Sequence, residues 1–389
     1  MASALTKVAP TLSSTTAQHP LEVLVPARHG NARPAAVAST PSGYTPATIR
    51  AALGLTGTGV GQTIALVSAY DSPNAASDLA VFDATFKLPA PPSFKKMNQS
   101  GGSSYPAADA GWALESNLDV QLAHALAPAA SLLLVEATSS SVNNLSAAID
   151  YAARQPGVSV ISNSWGISGE VSGESDYDYH CRLTKAVCVF SSGDSGWSGG
   201  YPAYNPYVIS VGGTTLNLVT DPKTGAVTVA KEMSWSGSGG GVSQYESRPS
   251  YQSAVNPTAG RGIPDVSFAG DPATGFAVYD STPYLDARGW FQMGGTSVGA
   301  PQWAAIFAVA DQLRIAARKP VLAGAADHPG TSPYPAAAAI YGLRSGLSDV
   351  TIGPTNGDCG KVCTVRPGYD YVTGLGSPKK GIDLALAAA

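Results

Sequence analysis

Residues 112–161 read WALESNLDVQLAHALAPAASLLLVEATSSSVNNLSAAIDYAARQPGVSVI, and this stretch contains the alternation that decides the fold. Its periodicity predicts a helix over 112–126, a strand over 132–135, a helix over 145–153 and a strand over 158–161. The strands are continuously apolar and are separated by helices. This pattern is typical of a parallel sheet that is covered by helices on both faces.

The same alternation extends to both sides of this stretch. Further strands are predicted at 63–67, 186–190 and 207–211, and further helices at 74–86 and 300–318. Residues 215–290 predict turns and hairpins. The first turns of the last helix are almost wholly apolar, which predicts that it is buried. The sequence therefore predicts an α/β fold with a central, mostly parallel sheet.

The two ends of the chain are predicted to differ in organisation. Residues 1–43 are rich in Ala, Pro, Ser and Thr and predict an irregular linker or the remnant of a leader, whereas 44–389 predict one domain. The segment 1–7 lacks a basic stretch followed by an apolar one, so it does not predict a signal peptide.

Composition excludes several classes of protein. The chain has 389 residues, of which 44% are hydrophobic, enough for a large core. Its 23 basic and 27 acidic residues give a net charge of −4, which argues against a nucleic-acid-binding domain. Its apolar runs are all shorter than the roughly 18 residues that a membrane-spanning helix needs.

Four cysteines form two close pairs in the sequence, Cys181 with Cys188 and Cys359 with Cys363. A pair of this spacing could be half of a metal site, but no histidine or third cysteine is near enough in sequence to complete a zinc shell. Two small disulfides are the favoured interpretation. They predict an oxidising compartment and hence a secreted protein.

Ser297 lies between glycines in Gly294-Gly295-Thr296-Ser297-Val298-Gly299-Ala300-Pro301, at the start of the predicted helix. Pro301 is expected in the first turn of that helix, where its missing N–H costs nothing. Backbone amides at a helix start favour developing negative charge, so the position suits a nucleophile. A simple helix cap, or the Gly-x-Ser-x-Gly motif of an esterase, remains an alternative.

A nucleophilic serine needs a base, and the histidines offer poor candidates. His180 is a further histidine, His19 and His29 fall in the predicted linker, and His328 lies in a loop 31 positions after Ser297. His124 lies on the 112–126 helix, opposite the apolar stripe. A histidine base is therefore poorly supported.

Glu115 and Asp119 are better candidates for the base. They lie about 40° apart on the helical wheel, inside the apolar stripe of the 112–126 helix. A surface pair would need no explanation. Two buried like charges cost several kcal/mol and therefore indicate a function.

A third acidic residue follows a predicted strand. Asp194 lies in Ser191-Ser192-Gly193-Asp194-Ser195-Gly196, directly after the strand at 186–190. Loops at the carboxyl ends of parallel strands are where ligand sites form. Asp194 could equally be a turn residue.

Glu-x-x-x-Asp on a helix, Ser-Gly-Asp after a strand and Gly-Thr-Ser-x-x-x-Pro, in this order, resemble the sedolisin family of serine-carboxyl peptidases, which are relatives of subtilisin. The resemblance runs from Gly43 to the C-terminus. It also includes four shorter motifs: Tyr44-Thr45-Pro46, Ala69-Tyr70-Asp71-Ser72-Pro73, Ile161-Ser162-Asn163-Ser164-Trp165-Gly166 and Val211-Gly212-Gly213-Thr214-Thr215.

The resemblance implies a subtilisin-like fold and an acid-acting endopeptidase that works through an acyl-enzyme. Ser297 would be the nucleophile, Glu115 the general base, Asp119 the residue that orients it, and Asp194 the oxyanion stabiliser. A carboxylate stays partly ionised in acid, where a histidine base is protonated, and Asp194 must be protonated to donate a hydrogen bond. Activity is therefore expected to peak below about pH 5.

The resemblance also implies one structural Ca²⁺ near the C-terminus. The side chains of Asp349 and Asp370 and the carbonyls of Val350, Arg366 and Gly368 would be its ligands, and oxygen donors suit this hard cation. Arg366 stands where the family usually has glycine. Only the carbonyl of that residue is required.

Other functions remain open at this stage. The chain could be a tripeptidyl-peptidase of the same family, a catalytically inactive binding protein with a peptidase fold, or an esterase using His328. Family enzymes are usually made with a large folded propeptide, for which 43 residues are too few. The expected partners are protein or peptide substrates, with no nucleic acid and no membrane, and the enzyme is expected to be a monomer.

Overall fold

The structure is a computed structural model that describes residues 15–19, 22–24, 36–327, 334–343 and 345–389. His29 and His328 lie outside the described residues. The strands are β1 Glu22–Leu24, β2 Ala36–Ala38, β3 Thr63–Ala69, β4 Phe94–Asn98, β5 Ser131–Ala137, β6 Val158–Asn163, β7 Val187–Ser191, β8 Ile209–Thr220, β9 Val227–Ser234, β10 Gly241–Ser247, β11 Gly260–Ile263, β12 Val266–Ala269, β13 Phe276–Tyr284, β14 Ala287–Gly294, β15 Leu347–Ser348 and β16 Ser377–Pro378. The helices are α1 Pro46–Leu53, α2 Ala75–Phe86, α3 Ala110–Leu126, α4 Val142–Ala153, α5 Tyr179–Arg182, α6 Thr296–Ala316, α7 Pro335–Gly342 and α8 Ile382–Ala388.

A central sheet organises the described part of the chain. Its strands follow the order β12-β8-β7-β6-β3-β5-β4, and each neighbouring pair along this path is parallel. β9 adds one antiparallel strand beside β8. Helices α3 and α6 lie against β3 on one face, and α4 packs against β3 and β5. The predicted α/β fold is confirmed.

Helix α3 corrects one expectation from the sequence. It is buried along its whole length from Trp112 to Leu126, so it has no solvent-facing side opposite an apolar stripe. It packs against α6 and β13 as well as the sheet. His124, expected on the polar side, has no exposed surface and lies 2.9 Å from the Pro89 carbonyl through Nε2. The few polar residues of this helix therefore all need internal partners.

Helix α6 begins at Thr296, four residues earlier than predicted. Pro301 consequently lies inside the helix, and its expected place in the first turn was wrong. It has no N–H with which to bond the Ser297 carbonyl one turn earlier. Gly299 allows this part of α6 to approach β8, since a Cβ there would lie 2.6 Å from Cγ1 of Val211. The early start places Ser297 in the first turn.

Several of the described residues in the segment 1–43 pair with the domain. β1 pairs antiparallel with β14, and β2 pairs with β14 in the parallel direction. Thr16 forms an antiparallel bridge with Ser141, and Gln18 forms one with Gly166. Runs of one to three paired residues are too short to produce a periodic pattern, which is why the sequence predicts only an irregular linker or the remnant of a leader here.

Both predicted disulfides are present. Cys181–Cys188 joins α5 to β7 with 6.1 Å between the Cα atoms, and Cys359–Cys363 closes a small loop with 5.5 Å between them. Within the described ranges, every helix is too short or too polar to cross a membrane.

Candidate active site

Ser297 stands immediately after the junction of β14 and α6. Gly295 forms the turn between the two elements with φ of 98°, in the left-handed region that favours glycine, and its N–H donates to the Gly270 carbonyl. The Ser297 side chain has no exposed surface. Among the described residues, its Oγ has no hydrogen bond of 3.5 Å or less. A buried hydroxyl without a partner is the exception in proteins and indicates a function.

Helix α3 supplies the two carboxylates one turn apart. Glu115 is 1% exposed and Asp119 is fully buried. The Ser164 hydroxyl donates to Asp119 Oδ1 at 2.6 Å. Burial raises the pKa of Asp119 to about 8, although the Ser164 hydrogen bond acts in the opposite direction. Burial, followed by the charge of Asp119, raises the pKa of Glu115 well above its ordinary value. The pair therefore keeps a proton to higher pH than an isolated glutamate would.

Ser297 and Glu115 face each other in this buried centre. The Ser297 hydroxyl favours the ionised form of Glu115 and so lowers the pKa of that carboxyl against the effect of burial. The contact is loose, since neither carboxylate oxygen of Glu115 has a hydrogen bond within 3.5 Å among the described residues. Loose geometry before substrate binds is usual for a nucleophile and its base.

Asp194 is hydrogen-bonded to Thr296, the residue directly before Ser297. Its Oδ1 accepts hydrogen bonds from the backbone N–H of Thr296 at 2.7 Å and from the Thr296 hydroxyl at 2.8 Å. The N–H of Gly193 donates to that hydroxyl at 3.0 Å. These bonds fix the loop after β7 to the start of α6. The structure thus brings all four predicted catalytic residues, Glu115, Asp119, Asp194 and Ser297, to one place.

A cleft of about 340 Å³ opens beside this centre. It is lined by residues 166–169 and 191–200, together with Gln18 and His19. Residues 15–19, which we call the strap, lead up to it, and Gln18 and His19 line it. The N–H of Ala17 donates to the Ser140 carbonyl at 2.7 Å, and the N–H of Val142 donates to the Thr15 carbonyl at 3.1 Å. Gln18 and Gly166 exchange two hydrogen bonds of 2.8 and 2.9 Å.

His19, at the end of the strap, reaches the first of the two candidate catalytic carboxylates. Nδ1 of His19 lies 3.8 Å from Oε2 of Glu115, and its ring packs edge-on against Trp112 with 5.0 Å between ring centroids. Burial lowers the pKa of His19, while the charge of Asp109 acts in the opposite direction. His19 falls in the segment that the sequence predicts to be a linker, and a bridge of one residue leaves no pattern from which this contact could be predicted.

The predicted calcium ligands come from two adjacent loops. Asp349 Oδ2 accepts from the N–H of Gly368 at 2.8 Å, and Asp370 Oδ2 accepts from the N–H of Arg366 at 3.1 Å. The Arg366 side chain folds back, with Nε donating to the Tyr369 carbonyl at 3.1 Å, so its charge is held away from the two carboxylates. The donor set is oxygen-only, as a hard cation requires.

The chain is similar in sequence to known peptidases. The model described as the Subtilase family matches residues 107–320. The chain belongs to the subtilase family. Within that family it groups with the sedolisins. It is 28% identical to kumamolisin from Bacillus sp. (strain MN-32) over 87% of this chain. It is 34% identical to sedolisin from Pseudomonas sp. (strain 101) over 50% of this chain.

The solved structures agree with the fold. Pseudomonas sedolisin, a serine-carboxyl proteinase solved with two molecules of pseudo-iodotyrostatin, matches with a TM-score of 0.69 and 25% identity. The match covers 90% of this chain and 98% of that structure. The subtilisin-like fold is confirmed. The chain spans 63% of the length of kumamolisin and 30% of curated sedolisin. Other relatives are named tripeptidyl-peptidases.

Proposed function

We propose that this chain is an acid-acting serine endopeptidase that cleaves peptide bonds through an acyl-enzyme. The observation that carries the proposal is the meeting of Ser297 with the buried Glu115–Asp119 pair and Asp194 beside one cleft. The Ser297 oxygen attacks the substrate carbonyl carbon while its proton passes to ionised Glu115. Glu115 returns that proton to the leaving amine as the peptide bond breaks. Water then hydrolyses the ester by the same proton route.

Burial and hydrogen bonding suit each carboxyl group to a different role in proton transfer. The raised pKa of Glu115 makes its ionised form a stronger base than an ordinary carboxylate, and Asp119 carries part of the shared proton. Asp194 is held against Thr296, next to the nucleophile, where a protonated carboxyl could donate to the developing oxyanion. The rate is then highest where the Glu115–Asp119 pair shares a single proton, so that Glu115 can be ionised, while Asp194 still holds its own proton.

The strap supports a peptide substrate. Gly166, in the wall of the cleft, exchanges two main-chain hydrogen bonds with Gln18 of the strap. This is how extended peptides bind to exposed strand edges. A tripeptidyl-peptidase of the same family is the second candidate, since relatives of that name match this chain.

The pH dependence of hydrolysis tests the proposal. Casein digestion by the wild type should peak below about pH 5 and fade towards neutrality, since Asp194 must be protonated. Asp194→Asn keeps a neutral hydrogen-bond donor at every pH. We expect this variant to retain part of the activity and to lose the decline on the alkaline side, whereas Asp194→Ala should lose activity at every pH. The measurement is kcat/KM against pH for the three proteins.

The outcome also separates the alternatives. An optimum above pH 7 would contradict the roles given to the carboxyl groups. Hydrolysis of short-chain esters without any cleavage of casein would favour the esterase. Absence of both activities would favour an inactive binding protein that keeps the fold.

We further propose that Asp349, Asp370 and the carbonyls of Val350, Arg366 and Gly368 hold one structural Ca²⁺. Asp370 is 1% exposed, and in the described residues it has no ion pair with Lys or Arg. A bound cation would compensate this buried charge and fix the two loops together. Together with its two disulfides, such a site suits an enzyme secreted into an oxidising medium.

Removal of calcium should lower stability. We expect a chelator to reduce Tm by about 5 °C or more, because a ligand that binds only the folded state stabilises it. Asp370→Asn should have a lower Tm in calcium and should no longer respond to the chelator. Asp358→Asn, in the loop between the ligands, is the matched control and should respond like wild type. An unchanged wild-type Tm after chelation would contradict the site.

A further inference from the structure

The strap acts as a peptide bound to its own cleft, and it shows where a substrate side chain can go. The His19 ring enters a small recess formed by Asp109, Gly111 and Trp112, with Tyr70 behind Trp112 at 6.3 Å between ring centroids. We call these four residues the ring subsite. Three of them lie at the start of α3, about one turn before Glu115.

Gly111 makes the room for the ring. A Cβ at position 111 would lie 3.0 Å from Nε2 of His19 and 3.4 Å from its Cε1. The backbone of Gly111 is helical and has no positive φ, so the conformation does not require glycine there. Glycine within a helix costs about 1 kcal/mol relative to alanine. Glycine at position 111 therefore leaves space for the ring although alanine would stabilise the helix more.

The chemistry of the recess suits a flat, unsaturated ring. Trp112 is 5% exposed, and it meets the imidazole at 80° between ring planes. Edge-to-face packing gains energy beyond simple burial, because the positive ring edge meets a negative ring face. The carboxylates of Asp109 and Glu115 flank the ring and favour the polarised hydrogens at its edge. A branched aliphatic side chain offers none of these interactions.

We propose that the ring subsite selects histidine, phenylalanine or tyrosine in the substrate. The selected residue follows the one that pairs with Gly166. Because that residue contacts Glu115, it lies within about two residues of the cleaved bond on its amino-terminal side. This inference rests on the proposed peptidase function, and it names the side-chain class that the same site prefers.

Cleavage-site profiling of a proteome-derived peptide library tests the preference with the full chain. The wild type should show enrichment of His, Phe and Tyr at one position on the amino-terminal side. Gly111→Ala should remove that enrichment. For a peptide with a ring at that position, kcat/KM should fall at least tenfold, whereas the matched peptide with alanine there should change less than twofold. Gly342→Ala, which adds a methyl group in open space, is the control.

A second measurement does not depend on catalysis, because the strap itself is the probe. In a Ser297→Ala background, amide hydrogen exchange at Gly166 reports how firmly Gln18 is paired to it. We expect exchange at least tenfold faster in Gly111→Ala and in His19→Ala, but near the parent rate in His19→Phe. Cleavage without ring enrichment, or unchanged exchange in Gly111→Ala, would overturn the ring subsite and leave the peptidase proposal intact. Absence of any cleavage, with exchange as expected, would overturn the peptidase proposal alone.

Discussion

Replacing Ser297 with alanine is expected to lower kcat/KM for peptide hydrolysis by about 10⁴-fold or more, because no bond can then form to the substrate carbonyl. Glu115→Gln keeps the size of the side chain but cannot accept the proton, and it should cost about 10³-fold or more. Both variants should fold normally. An active-site serine reagent at pH 4 should label the wild type and should fail to label either variant.

The controls distinguish chemistry from stability. Ser103→Ala removes an exposed serine hydroxyl far along the chain from the nucleophile and should leave kcat/KM and labelling unchanged. Ser164→Ala removes the donor to Asp119 and should lower kcat more than KM, since it acts on the shared proton. Retention of more than a tenth of wild-type activity in Glu115→Gln would contradict its role as the base.

The elements of the sheet and the meeting of the four candidate residues could be predicted because their signals are local. The buried strand at 132–135 reads as continuous apolar sequence and reappears within β5. Glu115 and Asp119 are one helical turn apart, so they share a face wherever α3 packs. Asp194 follows a strand, and Ser297 starts a helix. Motif order then joined three separate signals into one site.

Other features depend on contacts between distant residues and leave no local signal. Burial of α3 on every side depends on β13, which lies about 160 positions later in the chain, as with Gln121 and the backbone of Tyr279. The strap pairs at Gln18 alone with Gly166, so it has no alternation to detect. In the sequence, Gly111 is indistinguishable from any other glycine. Only the structure shows that the ring of His19 packs against it.

Buried acidic groups also lie outside the catalytic centre. Burial is the first cause of the raised pKa in each of them, and the raised values are about 8 for Glu136, about 9 for Glu174, about 8 for Asp178, about 7 for Asp280 and about 7 for Asp311. Some face other acids: Glu170 and Glu246 raise the pKa of Glu174, and Asp78 raises that of Asp280. Basic partners offset this only partly, as Lys96 does at Glu136.

Because of these groups, the free energy of unfolding is expected to decrease as pH rises. Below about pH 4 the folded and unfolded chains both hold these protons, so the stability is fully present. As pH rises, the unfolded chain releases them near pH 4 to 4.5, while the folded chain keeps them until about pH 7 to 9. Between these limits the folded state binds more protons, and the free energy of unfolding falls as pH rises.

We therefore expect Tm to fall by about 10 °C or more between pH 4 and pH 8. Each tenfold difference in proton affinity between the folded and unfolded chains corresponds to about 1.4 kcal/mol, and several groups contribute. Glu174→Gln keeps the shape and an acceptor for the N–H of Val171 but cannot ionise, so it should be more stable than wild type at pH 8 and show a shallower slope. Asp176→Asn, an exposed acid in the same short 3₁₀ helix, should keep the wild-type slope. Calorimetry across this range in saturating calcium measures the effect, and a wild-type Tm that rises towards pH 8 would show that these carboxyl groups are already ionised when folded.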